Sequence, residues 1–307
     1  MLRFLLIAGS TAALLATAAA AQTAPGPAPA PPAAAPPVQP IRASKIVLVG
    51  DSTTAVIGGW GPSFCARHVT SFIACVNLAR GGRSSGSYRA EGSWDLALAE
   101  MSTPGYQAVY VLIQFGHNDQ PGKPGRSTDL QTEFPANLRR YVEETRARGA
   151  MPVLLTPLTR RQFVDGRLQN DLEPWAEAVR RVARETDTPL VDLNAASTEA
   201  VQALGPVMAA RFAQAAPSPE VAAALFTGTT IPGSTGVPQA PAAPASAPAP
   251  TQTQAQAQAN AAAEPLGQAR AAFDYTHLGD VGADFFAALV TRDLIRAVPA
   301  LRRNLVP

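Results

Sequence analysis

The run "VLVGDSTTAV", residues 47–56, decides the fold class of this chain and raises its main functional question. Its aliphatic half extends back to Lys45 as "KIVLVG" and ends at Gly50. Continuous apolar runs of this length are typical of strands that a parallel sheet buries on both faces. The polar run "DSTT" follows at once. The pattern therefore predicts a buried strand that ends in a polar turn.

Four further aliphatic stretches share this character and alternate with segments of helical periodicity. The four stretches are "SFIACVNLA" (71–79), "QAVYVLIQFG" (107–116), "MPVLLTP" (151–157) and "TPLVDLN" (188–194). The helical segments are "LQTEFPANLRRYVEETRARG", "DLEPWAEAVRRVARETD" and the closing "GDVGADFFAALVTRDLIRAV". Buried strands that alternate with helices favour a parallel sheet covered on both faces. We therefore predict an α/β chain, a flavodoxin-like three-layer α/β/α sandwich around a five-stranded parallel sheet.

The first residues have the layout of a secretory signal peptide. "MLRFLLIAGSTAALLATAAAAQ" contains one basic residue, Arg3, then an apolar stretch, then a run of small residues. We predict that residues 1–21 are a signal peptide cleaved near Ala21. The protein would then be exported, periplasmic or extracellular, with no membrane span after cleavage. The alternative is an uncleaved anchor, which an apolar stretch made largely of Ala disfavours.

Two other segments have low complexity. Residues 22–40 contain no charge and almost only Ala and Pro, which is typical of a disordered spacer. Residues 227–266 carry a single charge, Glu264, and no apolar periodicity, so we predict a disordered insert there. The folded domain then comprises residues 41–307, interrupted by this insert.

Composition excludes several classes of function. A formal charge of +2 and a pI near 8.7 are too mild to indicate nucleic-acid binding. No metal site is predicted, because His68, His117 and His277 are scattered without ligand spacing. Cys65 and Cys75, the only cysteines, could form one disulfide in an oxidising compartment or remain two buried thiols. Nothing in the sequence indicates the oligomeric state.

Polar and glycine-rich residues follow several of the predicted strands. Ser52 follows the first strand, Gly82 the second and Asn118 the third, while Asp274 and His277 follow the last strand and the insert. In open parallel sheets, ligands bind outside the carboxyl ends of the strands. The sequence therefore predicts that these residues gather at one edge of the sheet.

The same residues supply the groups that acyl transfer requires. Ser52 offers a hydroxyl nucleophile, His277 a base, and Asp274 a carboxylate that can orient the imidazole. The backbone N–H groups of Ser52 and Gly82 and the side-chain amide of Asn118 could stabilise an oxyanion. The competing interpretation is that Ser52 only caps a helix, since Ser and Asp are favoured N-caps. We expect Ser52 to lie at a helix start, where both roles are compatible.

These segments also resemble a known family. "GDST", the glycine in "NLARGGRS", "GHND" and "DYTH" are similar, in that order, to the four blocks of the SGNH (GDSL-type) hydrolase superfamily. Within it, the chain most resembles rhamnogalacturonan acetylesterases, through "GDSTTA", "GWGPSF", "QFGHND" and "TPLTRR-F". The resemblance implies that Ser52, His277 and Asp274 form a catalytic triad, with Gly82 and Asn118 as oxyanion donors. The doubled glycine leaves open whether Gly81 or Gly82 donates.

A second serine competes for the role of nucleophile. Ser84 lies in "GRSSG", which matches the G-x-S-x-G pattern of α/β-hydrolases. That pattern requires an upstream oxyanion loop and a later Asp and His, and no such loop precedes Ser84 here. We interpret the match as accidental. His117 and Asp119 in "GHND" are expected to fix the loop rather than to transfer protons, and His68 to be a surface or hydrogen-bonded side chain.

Candidate substrate contacts are less specific. Trp60 could stack on a sugar or anchor the packing with partial exposure. Ser84 and several arginines lie on loops expected at the same edge, and the arginines could bind a carboxylated sugar or remain solvated. The arginines are Arg83, Arg89, Arg160 and Arg161.

The function expected from the resemblance is that of an exported serine esterase. It would remove acetyl groups from a polysaccharide, rhamnogalacturonan or a related pectin, through an acetyl-enzyme and without a cofactor. The alternatives are an esterase for other acyl esters, such as those of xylan or of cell-envelope glycans, and a glycan-binding relative without activity.

Overall fold

A computed structural model describes residues 42–233 and 272–307 of the chain. Its strands are β1 (Ser44–Gly50), β2 (Ile73–Asn77), β3 (Val109–Gln114), β4 (Met151–Leu155), β5 (Phe163–Val164), β6 (Arg167–Leu168) and β7 (Leu190–Val191). A five-stranded sheet has the order β2-β1-β3-β4-β7, and each neighbouring pair is parallel. The short β5 and β6 form a separate antiparallel hairpin. The predicted five-stranded parallel sheet is therefore confirmed.

Helices connect these strands and cover both faces of the sheet. They are α1 (Gly61–Arg67), α2 (Ser87–Ala90), α3 (Ser93–Met101), α4 (Glu133–Ala147), α5 (Glu173–Glu185), α6 (Leu193–Ala210), α7 (Pro219–Phe226) and α8 (Asp280–Ala297). The three helices predicted from periodicity correspond to α4, α5 and α8. Pro174 lies in the first turn of α5, where its missing N–H has no acceptor to lose.

Successive residues of β1 point to opposite faces of the sheet and enter two separate cores. Ile46 and Leu48 pack in one core with residues of α1, α6 and α8, whereas Val47 and Val49 pack in the other with residues of α3, α4 and α5. All residues of β1 are buried. Because the sheet is buried on both faces, its strands can be aliphatic without interruption, and the three-layer α/β/α sandwich follows.

The strand order places the functional edge. From β1 the chain crosses to β2 on one side of the sheet, whereas from β3 it continues to β4 on the other side, so the strand order reverses between β1 and β3. Ligands of open α/β sheets bind at such a topological switch point, beyond the carboxyl ends of the strands. Residues that follow β1, β2 and β3 therefore meet at the edge where a ligand would bind.

The last predicted strand is shorter than expected. We predicted a strand over residues 188–194, but β7 contains only Leu190–Val191. Asp192 caps the next helix instead, since its side chain accepts a hydrogen bond from the N–H of Ala195. The helices α6 and α7 were not predicted. Gly205, with φ of 69°, kinks α6 before Pro206 and breaks its periodicity.

The first residues of the predicted insert belong to the fold. We placed its start at about residue 227, but residues 227–233 are part of the fold. The N–H of Gly166 donates to the carbonyl of Gly228 at 2.9 Å, and the N–H of Thr230 donates to the carbonyl of Phe163 at 2.9 Å. These bonds attach the segment to the β5–β6 hairpin. The remainder of the predicted insert, the signal peptide and the spacer lie outside the described residues.

Cys65 and Cys75 form a disulfide that joins α1 to β2, with a Cα–Cα distance of 5.5 Å. The bridge closes a short loop, and such bridges typically contribute roughly 2–3 kcal/mol to the stability of a fold. Across residues 42–233 and 272–307, every helix is too short or too polar to cross a membrane.

Candidate active site

Ser52 lies in a turn beyond the carboxyl end of β1. The N–H groups of Thr54 and Ala55 donate to the carbonyl of Asp51 at 3.1 and 3.0 Å. The Asp51 carboxylate accepts from the N–H of Thr53 at 2.9 Å and fixes the same turn. The chain then continues through turns, and α1 begins only at residue 61. The expectation that Ser52 starts a helix is therefore wrong, and its hydroxyl has no capping role.

The hydroxyl of Ser52 instead contacts an imidazole. Its Oγ lies 2.9 Å from Nε2 of His277, and Nδ1 of His277 lies 2.7 Å from Oδ2 of Asp274. Both distances are within hydrogen-bond range. The structure thus brings Ser52, His277 and Asp274 into one chain of contacts across 225 residues of sequence. Such a hydroxyl–imidazole–carboxylate chain can perform nucleophilic catalysis.

The carboxylate of Asp274 is held in a single orientation. Its Oδ1 accepts the N–H groups of Thr276 at 2.7 Å and His277 at 2.6 Å, which leaves Oδ2 to face the imidazole. Burial opposes ionisation of Asp274, but the hydrogen bonds from His277 and from these N–H groups keep its pKa below the usual value. Asp274 is therefore an ionised acceptor for the Nδ1–H of His277 at neutral pH.

Gly58 brings the turn around Ser52 against the loop that carries His277. Its carbonyl accepts the N–H of Leu278 at 2.8 Å. Its φ of +84° lies in the left-handed region, and a Cβ added there would stand 3.3 Å from Cβ and Cδ2 of His277. A larger residue at position 58 would therefore be strained and would press on the imidazole.

The predicted oxyanion donors follow β1, β2 and β3, which are neighbours in the sheet. Gly82 has φ of +74°, a conformation that favours glycine. The side-chain amide of Asn118 donates to the carbonyl of Arg83 at 3.1 Å, so it lies beside the glycine-rich loop. Among the described residues, the N–H groups of Ser52 and Gly82 donate to no backbone carbonyl.

Asp119 ties the loop of Asn118 to the glycine-rich loop. Its carboxylate accepts hydrogen bonds from the N–H of Ser85 at 3.0 Å, from the hydroxyl of Ser85 at 2.6 Å and from the hydroxyl of Thr128 at 3.0 Å. Burial raises the pKa of Asp119 to about 7, although the bonds from Ser85 and Thr128 oppose that rise. The side chain holds two loops together, as the sequence predicted.

Gln114, the last residue of β3, has a role at this edge that was not predicted from the sequence. Its Oε1 accepts hydrogen bonds from the hydroxyl of Thr54 and the indole N–H of Trp60, each at 2.7 Å. Its Nε2 donates to Oγ1 of Thr53 at 3.3 Å. This buried amide therefore fastens the turn around Ser52 to the neighbouring strand. A polar residue at the end of an otherwise apolar strand was the signal that could have identified it.

Trp60 and Ser84 are buried, which contradicts their prediction as substrate contacts, while the alternative for Trp60, a packing anchor, agrees with the structure except for the expected partial exposure. Trp60 is 0% exposed and packs edge-on against Phe64, so it cannot stack on a sugar. Ser84 is also 0% exposed and bonds to Ser87, which removes it as a contact and as a competing nucleophile.

The four arginines bond to groups of the protein itself. Arg83 is buried and pairs with Glu91 at 2.9 Å, and Arg160 is buried and pairs with Asp171. Arg89 pairs with Glu144 at 2.7 Å, and Arg161 bonds to backbone carbonyls. Guanidinium groups used in this way order loops, and charge alone could not distinguish that use from substrate binding.

Two histidines do not belong to the contact chain. His117 is buried beside Asp51, with its Nδ1 3.4 Å from Oδ2 of that residue. Burial lowers the pKa of His117 despite the neighbouring carboxylate, so the imidazole is neutral at neutral pH. His68 contacts the carbonyl of Val306 at 2.7 Å through Nδ1 and precedes the first residue of β2, whereas Ser52 follows the last residue of β1.

Comparison with known proteins shows which family has these features. Residues 48–210 match the model of the GDSL-like Lipase/Acylhydrolase family. The chain is 36% identical over 170 residues to the rhamnogalacturonan acetylesterase RhgT of Bacillus subtilis, which covers 53% of this chain and 70% of that protein. It is 34% identical over 158 residues to YesY of the same organism, named a probable rhamnogalacturonan acetylesterase, covering 49% and 70%.

The fold also resembles a solved structure. The crystal structure of YxiM from Bacillus subtilis superposes with a TM-score of 0.53 at 21% sequence identity. The match covers 84% of this chain and 58% of that chain, so this chain spans less than two thirds of that relative. Since the family model matches more than half of the residues, the chain belongs to the GDSL-like lipase/acylhydrolase family, the SGNH group of carboxylic ester hydrolases.

Proposed function

We propose that this protein is an exported serine esterase that removes acetyl groups from a polysaccharide, rhamnogalacturonan or a related pectin. The observation that carries the proposal is the chain of contacts from Ser52 Oγ to His277 Nε2 at 2.9 Å and from His277 Nδ1 to Asp274 Oδ2 at 2.7 Å. These three hydrogen-bonded side chains lie at the carboxyl edge of the sheet, in a protein that belongs to an acylhydrolase family.

In the acylation step, Ser52 attacks the carbonyl carbon of the acetyl ester. His277 accepts the hydroxyl proton at Nε2 while a bond forms between Oγ and the carbonyl carbon. The resulting oxyanion is stabilised by the N–H groups of Ser52 and Gly82 and the amide of Asn118. Each preorganised donor of this kind is typically worth about 3–4 kcal/mol in the transition state. His277 then gives its proton to the sugar oxygen, and the sugar leaves with a free hydroxyl.

In the deacylation step, water replaces the sugar. His277 takes a proton from the water as its oxygen attacks the acetyl carbonyl, and the same donors stabilise the second oxyanion. Collapse of this intermediate releases acetate and returns the proton to Ser52. Asp274 stays ionised and keeps His277 in the tautomer that carries hydrogen on Nδ1.

The substrate class is proposed from the relatives. RhgT and YesY are both named for rhamnogalacturonan acetylesterase activity, and they are 36% and 34% identical to this chain. Export is proposed from the signal-peptide pattern of residues 1–21. The disulfide between Cys65 and Cys75 supports it, because such bridges persist in oxidising compartments.

Acetate release from a panel of polymers tests the proposal. We expect the purified protein to release acetate from acetylated rhamnogalacturonan faster than from acetylated xylan or O-acetylated peptidoglycan. Acetate would be quantified by an enzyme-coupled assay, with Ser52→Ala as the matched blank.

Each outcome of the panel has a distinct meaning. Faster release from xylan or peptidoglycan would support the esterase activity but contradict rhamnogalacturonan as the preferred substrate. Binding of a polymer without acetate release, by protein that also fails to hydrolyse p-nitrophenyl acetate, would favour a glycan-binding relative.

A further inference from the structure

Arg161 lies at the carboxyl edge of the sheet, in the segment that follows β4. It is 1% exposed, so its guanidinium is shielded from water. Burying a charged side chain is costly unless hydrogen bonds and an opposite charge compensate it. From the sequence we expected Arg161 either to bind a carboxylated sugar or to be a solvated loop residue, and its burial agrees with neither role. The compensating groups show what it does.

The guanidinium donates to the loop that carries Asp274 and His277. Nη2 donates to the carbonyl of Asp274 at 3.0 Å and to that of His277 at 2.8 Å, and Nη1 donates to the carbonyl of Thr276 at 3.2 Å. The N–H of Arg161 also donates to the carbonyl of Tyr275 at 2.9 Å. One residue therefore binds every carbonyl of the segment from Asp274 to His277.

Resting on the proposed function, we propose that Arg161 is a positioning residue that holds His277 and Asp274 in register with Ser52. A single nitrogen, Nη2, fixes the backbone of the base and of the residue that orients it. The planar fork of arginine can reach carbonyls in different directions, whereas the ammonium of lysine acts from one point. Burial lowers the pKa of the Arg161 guanidinium, and the negative charge of Asp274 partly offsets that effect.

The proposal predicts a loss of turnover without a loss of substrate affinity. A displacement of catalytic groups by about 1 Å can cost about 100-fold in rate. We expect Arg161→Met to lower kcat for p-nitrophenyl acetate by about 100-fold, with KM changed less than about threefold. Arg161→Lys keeps the charge but loses part of the fork, so we expect a fall in kcat of about tenfold.

A spectroscopic readout separates positioning from general stability. The proton on Nδ1 of His277, bonded to Asp274 at 2.7 Å, should give a far-downfield one-dimensional ¹H NMR resonance, assigned by its absence in His277→Gln. We expect this resonance to be weakened or shifted in the Arg161 variants. Arg180→Lys is the matched control, because Arg180 pairs with Asp192 and Glu173 away from the loop. It should keep both kcat and the resonance, whatever its melting temperature.

The outcomes distinguish this inference from the proposed function. If Arg161→Met does not fold, Arg161→Lys still decides the matter. A folded Arg161→Lys with the kcat and resonance of the unmodified protein would overturn the positioning role, provided that Ser52→Ala is inactive. If Ser52→Ala retains activity, the proposed function fails first, independently of Arg161.

Discussion

Ser52→Ala should lower kcat for p-nitrophenyl acetate by about 10⁶-fold, because loss of a serine nucleophile removes the covalent pathway as a whole. The hydroxyl that lies 2.9 Å from His277 Nε2 would be gone, and the imidazole would have no proton to take. A stopped-flow assay at high enzyme concentration follows the release of p-nitrophenol with time. The initial burst reports acetyl-enzyme formation, and the later steady rate reports turnover. Binding by the oxyanion donors should remain, so a small residual rate above water is expected.

Ser84→Ala is the matched control for this experiment. Ser84 is buried and bonds to Ser87, and it follows Gly82 in the glycine-rich loop. Its removal deletes a hydroxyl of the same kind from the same edge of the sheet. We expect kcat to stay within about tenfold of the unmodified protein, since the loop keeps its hydrogen bonds to the Asp119 carboxylate. The reverse pattern, with Ser84→Ala inactive and Ser52→Ala active, would assign the nucleophile to the G-x-S-x-G pattern.

Asp274→Asn should lower kcat by about 10⁴-fold through the tautomer of the imidazole. In the protein, Oδ1 accepts the N–H groups of Thr276 and His277, so an asparagine must place its oxygen at that position. Its NH₂ group then faces Nδ1 of His277 and turns that nitrogen into an acceptor. The hydrogen moves to Nε2, and the imidazole can no longer accept the proton of Ser52. The pH–rate profile and kcat are the measurements.

A control separates this effect from a general loss of stability. Asp284→Asn removes a carboxylate from α8 that contacts Ser63 and Arg67, away from His277. We expect it to change the melting temperature without changing kcat. A folded Asp274→Asn with kcat within tenfold of the unmodified protein would mean that Asp274 does not orient the base.

The sheet could be predicted because burial on both faces leaves a simple pattern in the sequence. β1, β3 and β4 are aliphatic nearly throughout, and polar residues begin where each strand ends. The helix α6 could not be predicted, because Gly205 and Pro206 interrupt it and its exposed face carries few charges. The shortness of β7 was hidden as well, since Asp192 reads equally as the end of a strand and as a helix cap.

The site was predictable only in part, for a related reason. Ser52, Asp274 and His277 were identified because they lie beyond strand ends and match a family pattern. The roles of Gln114 and Arg161 depend on which backbone groups lie opposite them, and that is a property of the fold. The sequence does not distinguish a buried arginine that binds backbone carbonyls from an exposed arginine that binds a carboxylated sugar. The predicted partial exposure of Trp60 was wrong for the same reason, because its hydrogen bond to Gln114 joins residues 54 positions apart in the sequence.

Covalent labelling of the nucleophile tests the central claim most directly. The protein would be inactivated with a diethyl organophosphate, reduced at Cys65 and Cys75, digested with trypsin and mapped by tandem mass spectrometry. Ser52 lies in the tryptic peptide of residues 46–67 and Ser84 in that of residues 84–89, so the two candidates separate before fragmentation. We predict one phosphoryl group, on Ser52, formed in step with the loss of esterase activity. Inactivation with Ser52 unmodified, or with the label on Ser84, would contradict the account.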